Sequence, residues 1–320
     1  MAADRAKVRD GAPVAGRPDW VARPERGTTT MLRVMTFISL RLGRRAGRIV
    51  VYAIAAYFFL FAPTARVHMR QYLRRALGRE PTPLDRYRLI LTFASTIHDR
   101  LYLIGERYDL FDISLEGMEV VAKRSRRGEG AVLMGAHLGS FEVTRTIGRR
   151  QPGLRVAMAM YQDNARRLNA TLAAVNPNLS VDIIPLGTMG SMLQIRSRLD
   201  AGDFVGLLGD RTFGPERYER VVFLGAPAYF PSSAMRAAAA LRCPVIFMAA
   251  LYRGANRYRV VFEELADFST ATAGEREDAV RAAIHRYAAV LERYCASDPF
   301  NWFNFFDFWR EPAPPGPGPT

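Results

Sequence analysis

Apolar and polar positions change their rhythm near residue 111. Downstream of it, short apolar runs at 131–136, 154–160, 180–186, 204–210, 244–252 and 258–265 are separated by stretches whose apolar residues recur at helical spacing. Those helical stretches fall at about 140–150, 163–175, 189–201 and 232–242, and a last one runs from about Glu275 to Ala296. Strand-length runs alternating with helices predict an α/β domain, with a mostly parallel central sheet flanked by helices. Upstream, "RYRLILTFASTIHDRLYLIGERYDLF" has helical periodicity after a Pro-rich break, with Asp85 as its expected cap and a place beside the α/β domain. The chain divides into a polar N-terminus (1–26), an N-terminal helical membrane-associating region (27–110), the α/β domain (111–310) and a Pro/Gly-rich tail (311–320). Both ends are expected to be disordered.

Residues 31–75 carry the information about location. From Ile49 to Pro63 the chain is apolar or aromatic without a charge, about 15 residues against the roughly 20 that cross a hydrocarbon core. Arg41, Arg44, Arg45 and Arg48 precede this stretch, and Arg66, Arg70, Arg74 and Arg75 follow it. A short apolar centre with cationic ends suits a helix hairpin or a helix lying among headgroups, with arginines paired to lipid phosphates. A buried core helix fits the same pattern. The formal charge of +14 favours anionic partners such as a membrane surface or an acidic carrier, although nearly all the cations are Arg, a bias that coding composition alone produces. Cys243 and Cys295 are too few for a disulfide scaffold, and no spacing suggests a metal site. A reducing setting is expected, and the polar N-terminus does not read as a secretory signal.

The most suggestive stretch is "AVLMGAHLGSFEV", 131–143. A strand ends in the turn Gly135–Gly139, and a helix begins with Phe141 and Glu142. Sites in open α/β sheets form at the carboxyl ends of strands, which places His137 at a favoured position. A carboxylate in the first turn of the following helix can hold the imidazole in one tautomer and raise its basicity. Taken alone, a satisfied structural histidine explains the pattern equally well.

The H-x(4)-E spacing resembles the motif of the lysophospholipid and glycerolipid acyltransferase superfamily, on the branch containing the lipid A biosynthesis acyltransferases. Further blocks follow in the superfamily's order: "GLLGDRTFG" (206–214), "FLGAPAYFP" (223–231) and "RCPVIFMAALYR" (242–253). The closing "DPFNWFNFFDFW" (298–309), with the arginine-rich N-terminal region, is similar to acyltransferases of aryl polyene or xanthomonadin-type lipids in Gram-negative bacteria. Two departures stand out. Phe230-Pro231 is followed by Ser232-Ser233 rather than Glu-Gly, and Ala136 rather than Asn precedes His137.

The resemblance implies acyl transfer to a hydroxyl or amine of a lipid acceptor, at the cytoplasmic face of an inner membrane. The donor would be an acyl-carrier-protein or coenzyme A thioester serving as co-substrate, with no resident cofactor and no metal. It implies His137 as general base and Glu142 as the residue orienting it. Asp210 and Arg211 would bind an anionic group of a substrate, and Gly225 and Pro227 would shape the acyl-chain wall. Oxyanion donors are expected from the start of the 140–150 helix or near Gly225. The alternatives are a lauroyl- or myristoyl-type lipid A acyltransferase and a non-catalytic lipid-binding protein on the same fold. A thioester hydrolase is less well supported, since no G-x-S-x-G elbow is present. Asp163 and Asn164 are expected to begin a helix, with Arg166 and Arg167 on a solvated face. Trp302, Phe305 and Trp309 read as core, because the segment is too apolar and too poor in arginine for a nucleic-acid platform.

Overall fold

A computed structural model of the chain describes residues 28–150, 154–161, 182–188, 190–211, 217–272 and 274–312. The polar N-terminus 1–26, the 163–175 helix with Arg166 and Arg167, and the tail from residue 313 lie outside the described residues. The α/β expectation holds. Seven described strands form one sheet in the order β1-β9-β8-β2-β5-β3-β4. They are β1 (Asp112–Glu116), β2 (Ala131–Gly135), β3 (Val156–Tyr161), β4 (Ile183–Leu186), β5 (Phe204–Leu208), β8 (Pro244–Tyr252) and β9 (Arg257–Asp267). All neighbours pair in parallel except β8 with β9, a long antiparallel hairpin. A second, two-stranded antiparallel ribbon is made by β6 (Tyr218–Phe223) and β7 (Ala226–Pro231).

The central strands read as continuous apolar runs because both of their faces are covered. Every residue of β2 and of β8 is buried. Val132 and Met134 enter one core layer, and Ala131 and Leu133 enter the other. The described helices are α1 (Thr28–Phe61), α2 (Pro63–Leu77), α3 (Pro83–Ile104), α4 (Met118–Arg126), α5 (Phe141–Arg150), α6 (Ser191–Asp200), α7 (Ser233–Ala240) and α8 (Arg276–Ser297). At the start of α3 the cap is Thr82 rather than Asp85. The Thr82 hydroxyl accepts from the Asp85 amide while the Asp85 carboxylate accepts from the Thr82 amide, a reciprocal capping box.

The described side chains of the first two helices present two different surfaces. One side of α1 is locked onto α3 by a buried polar network. Arg44 grips Asp99 through two hydrogen bonds of 2.9 and 3.0 Å, Tyr258 donates to the same carboxylate, and His98 pairs with the Ser39 hydroxyl at 3.0 Å. The helices approach closely at Gly47, where an added Cβ would lie 2.4 Å from the His98 ring. The other side carries large apolar side chains in solvent, with Ile49 72% and Phe61 67% exposed, continuing to Val67 on α2. No single described helix is long and apolar enough to cross a membrane. The segments Arg41–Phe61 and Ala65–Leu77, bent by 100°, reach that length and composition together.

Candidate active site

His137 sits immediately after β2, the middle strand of the sheet, in a turn pinned from two sides. The Gly139 amide donates to the Asn301 carbonyl at 2.8 Å, and the Ser140 amide donates to the Ala250 carbonyl at 2.8 Å. Gly139 is required there. Its φ is +74°, and a Cβ would fall 1.9 Å from the Ala250 carbonyl oxygen. From the far side, the Phe303 amide donates to the His137 carbonyl at 2.8 Å.

The carboxylate against the imidazole is Asp210, just beyond the end of β5, rather than Glu142. Asp210 Oδ1 lies 2.9 Å from His137 Nδ1, and its Oδ2 accepts the His137 backbone N–H at 3.0 Å. The Trp302 indole N–H donates to Oδ2 as well, at 3.3 Å. β2 and β5 are parallel neighbours paired through Gly135 and Leu208, so the residues following their ends emerge side by side. Glu142 does lie in the first turn of α5, as expected, but it is buried and ion-paired with Arg100 of α3 at 2.8 Å. The physical reason for the correction is direction. The carboxylate that meets the ring comes from the neighbouring strand end across the sheet, whereas Glu142 faces α3.

Burial works to raise the Asp210 carboxyl, yet the charge and hydrogen bond of His137, and then the charge of Arg211, hold it well below the usual carboxylate range. An ionised carboxylate only accepts hydrogen bonds, so Nδ1 carries the proton and Nε2 keeps its lone pair. Burial, followed by the Arg211 charge, lowers the His137 pKa from its ordinary value, with Asp210 pulling in the opposite direction. The histidine side chain nevertheless remains 34% exposed.

Arg211 is committed inside the protein. Its Nη2 donates to the Phe303 carbonyl at 2.7 Å, its guanidinium lies 4.8 Å from the Phe306 ring centre, and Nε is 3.9 Å from Asp210. It ties the 298–309 segment to the His137–Asp210 pair. Gly225 and Pro227 are not gathered with them. They sit at and just after the tip of the β6–β7 hairpin, exposed, and a Cβ on Gly225 would meet open space. The inner face of the hairpin meets the site indirectly, through Phe223 packed against Trp302 at 5.4 Å. The residues that sequence reading underrated are thus Trp302 and Phe303. Of the residues expected in the core, Trp302 is fully buried, whereas Phe305 and Trp309 pack half-buried against the core, and the segment is also the wall that fixes both the aspartate and the arginine.

His137 thus stands at a strand end of a mostly parallel α/β sheet, backed by the buried carboxylate of Asp210. The chain matches the bacterial lipid A biosynthesis acyltransferase family over residues 24–311 and belongs to that family. No curated protein is significantly similar to it in sequence.

Proposed function

We propose that this acyltransferase moves an acyl group from an acyl-carrier-protein or coenzyme A thioester onto a hydroxyl or amine of a lipid acceptor, with His137 as general base. The observation that carries this reading is the His137–Asp210 pair, with Nδ1 held by the carboxylate and a partly exposed ring. In the reaction, Nε2 takes the proton of the acceptor as its oxygen or nitrogen attacks the thioester carbonyl. Collapse of the tetrahedral intermediate breaks the carbon–sulfur bond, and the imidazolium returns the proton to the departing thiolate. Asp210 holds the ring in the required tautomer and stabilises the imidazolium. The Gly139 and Ser140 amides are already donated to protein carbonyls, so the positive end of α5 is the better source of oxyanion stabilisation.

The enzyme works at the cytoplasmic face of an inner membrane, held there by the exposed apolar faces of α1 and α2 and their arginines. Family membership supports an acceptor of the lipid A type. An aryl polyene acyl chain is supported only by the resemblance of the closing segment and the N-terminal region. Mass spectrometry of lipid extracts from cells expressing wild type or His137→Ala tests this reading. A species present only with the wild type identifies acceptor and chain together, and identical lipid profiles would refute acyl transfer by this site.

A further inference from the structure

Beside the catalytic turn lies a cavity of about 600 Å³, walled by α1, α3, the β8–β9 turn and residues 297–301. Arg48, Arg88, Arg253 and Arg257 line it, against the single carboxylate of Asp298. Asp298 is itself hydrogen-bonded to Arg253, which leaves the cavity strongly cationic. One η-nitrogen of Arg48 donates to the Tyr252 hydroxyl. The other is buried and has no hydrogen-bond partner, which is costly for a cationic donor and is relieved by an anionic oxygen. The cavity and the active site share a wall. The Asn301 side chain bonds both the amide and the carbonyl of Tyr252, while its own carbonyl receives the Gly139 N–H two residues from His137. Its α1 wall includes Tyr52, which is 49% exposed and continues the apolar face containing Ile49.

We infer that this cavity is an acceptor subsite that grips a phosphomonoester on a membrane lipid, an assignment that rests on the acyl-transfer reading above. Guanidinium groups bind phosphate oxygens through two parallel hydrogen bonds, and a phosphomonoester is close to dianionic at neutral pH, matching an excess of cations better than a diester does. The apolar face at the cavity's edge places the phosphate of a bilayer amphiphile at the arginines while its chains stay in the membrane. The short Asn301–Gly139 link brings the rest of its headgroup towards His137.

The test uses the full chain and phosphatidylcholine vesicles containing either phosphatidic acid, a phosphomonoester, or phosphatidylglycerol at matched surface charge. Wild type is expected to bind the phosphatidic acid vesicles roughly tenfold more tightly. Arg88→Gln/Arg257→Gln, which alters two exposed side chains outside the network that docks α1, should abolish that preference without changing binding to pure phosphatidylcholine. Arg88→Lys/Arg257→Lys should keep part of it. Equal wild-type binding to the two anionic vesicles would overturn the assignment, as would an undiminished preference in the glutamine variant. Coenzyme A supplies the soluble phosphate source. If the glutamine variant loses coenzyme A binding and keeps its phosphatidic acid preference, the arginines serve the donor and the lipid assignment fails. His137→Ala separates the two readings, because it should lose turnover and retain the phosphatidic acid preference. Full turnover in that variant would refute the general base while leaving the arginine subsite standing.

Discussion

Asp210 accepts both the ring and the backbone N–H of His137, at 2.9 and 3.0 Å, and so fixes the imidazole by two contacts across a parallel strand pair. The carboxylate is buried and receives the Trp302 indole N–H as well, so little of its position is left to chance.

The first consequence is a pair of opposite shifts in the pH–rate profile. His137 has a lowered pKa, so the neutral base persists below its ordinary titration range and activity is lost only as pH falls through the lowered value. The acid limb of kcat/KM is therefore expected below pH about 6.5. Arg211→Gln removes a charge that depresses the histidine and should move the limb to higher pH. Asp210→Asn removes the group that raises it and should move the limb to lower pH, with a fall in kcat. A limb that stays in place in both variants would disconnect His137 from this environment.

Glu142→Gln is expected to act differently, because Glu142 is ion-paired to Arg100 between α5 and α3. Removing the buried carboxylate's charge leaves the half-buried Arg100 without this partner. The loss should be about 2 kcal/mol of stability, read as a lower Tm, with the acid limb unmoved. A shifted limb at unchanged Tm would return Glu142 to the role of ring orienter.

How far the sequence showed these relationships depended on their distance along the chain. The strand, turn and helix around His137 were readable because periodicity and the glycine turn are local signals. The Asp210 contact spans 73 positions and follows from β2 and β5 being neighbours, which no local pattern encodes. The family resemblance marks Asp210 and Arg211 as a substrate-binding pair, whereas their contacts with Trp302 and Phe303 depend on the 298–309 segment folding over them. Strand β1 was missed because, with four of its five residues exposed, it lacks a burial pattern. The β6–β7 hairpin has no counterpart among the sequence-predicted strands, since Gly225, Pro227 and Pro231 mask the alternation.

The α1–α3 network makes a stability prediction. Asp99 is fully buried, so Arg44→Ala removes its arginine partner and leaves it with the Tyr258 hydroxyl and the His98 ring 3.6 Å away. A loss of about 3 kcal/mol is expected, lowering Tm by roughly 6–12 °C and exposing α1 to limited proteolysis. Wild-type Tm and protease resistance would show that the network does not hold α1 in place.

Membrane attachment is tested on side chains that support no core. Ile49→Glu/Phe61→Glu alters two strongly exposed residues, so Tm should hold while vesicle affinity drops by about tenfold or more. Unchanged flotation with vesicles would remove this face from the membrane contact.

The most direct measurement is single-turnover acyl transfer by purified His137→Ala, with donor and acceptor saturating and folding verified by an unchanged Tm. Loss of the base that takes the acceptor proton is expected to slow the chemical step by ~10²–10⁴-fold, with substrate binding retained. A rate within a few-fold of wild type would contradict the assignment of His137 as general base.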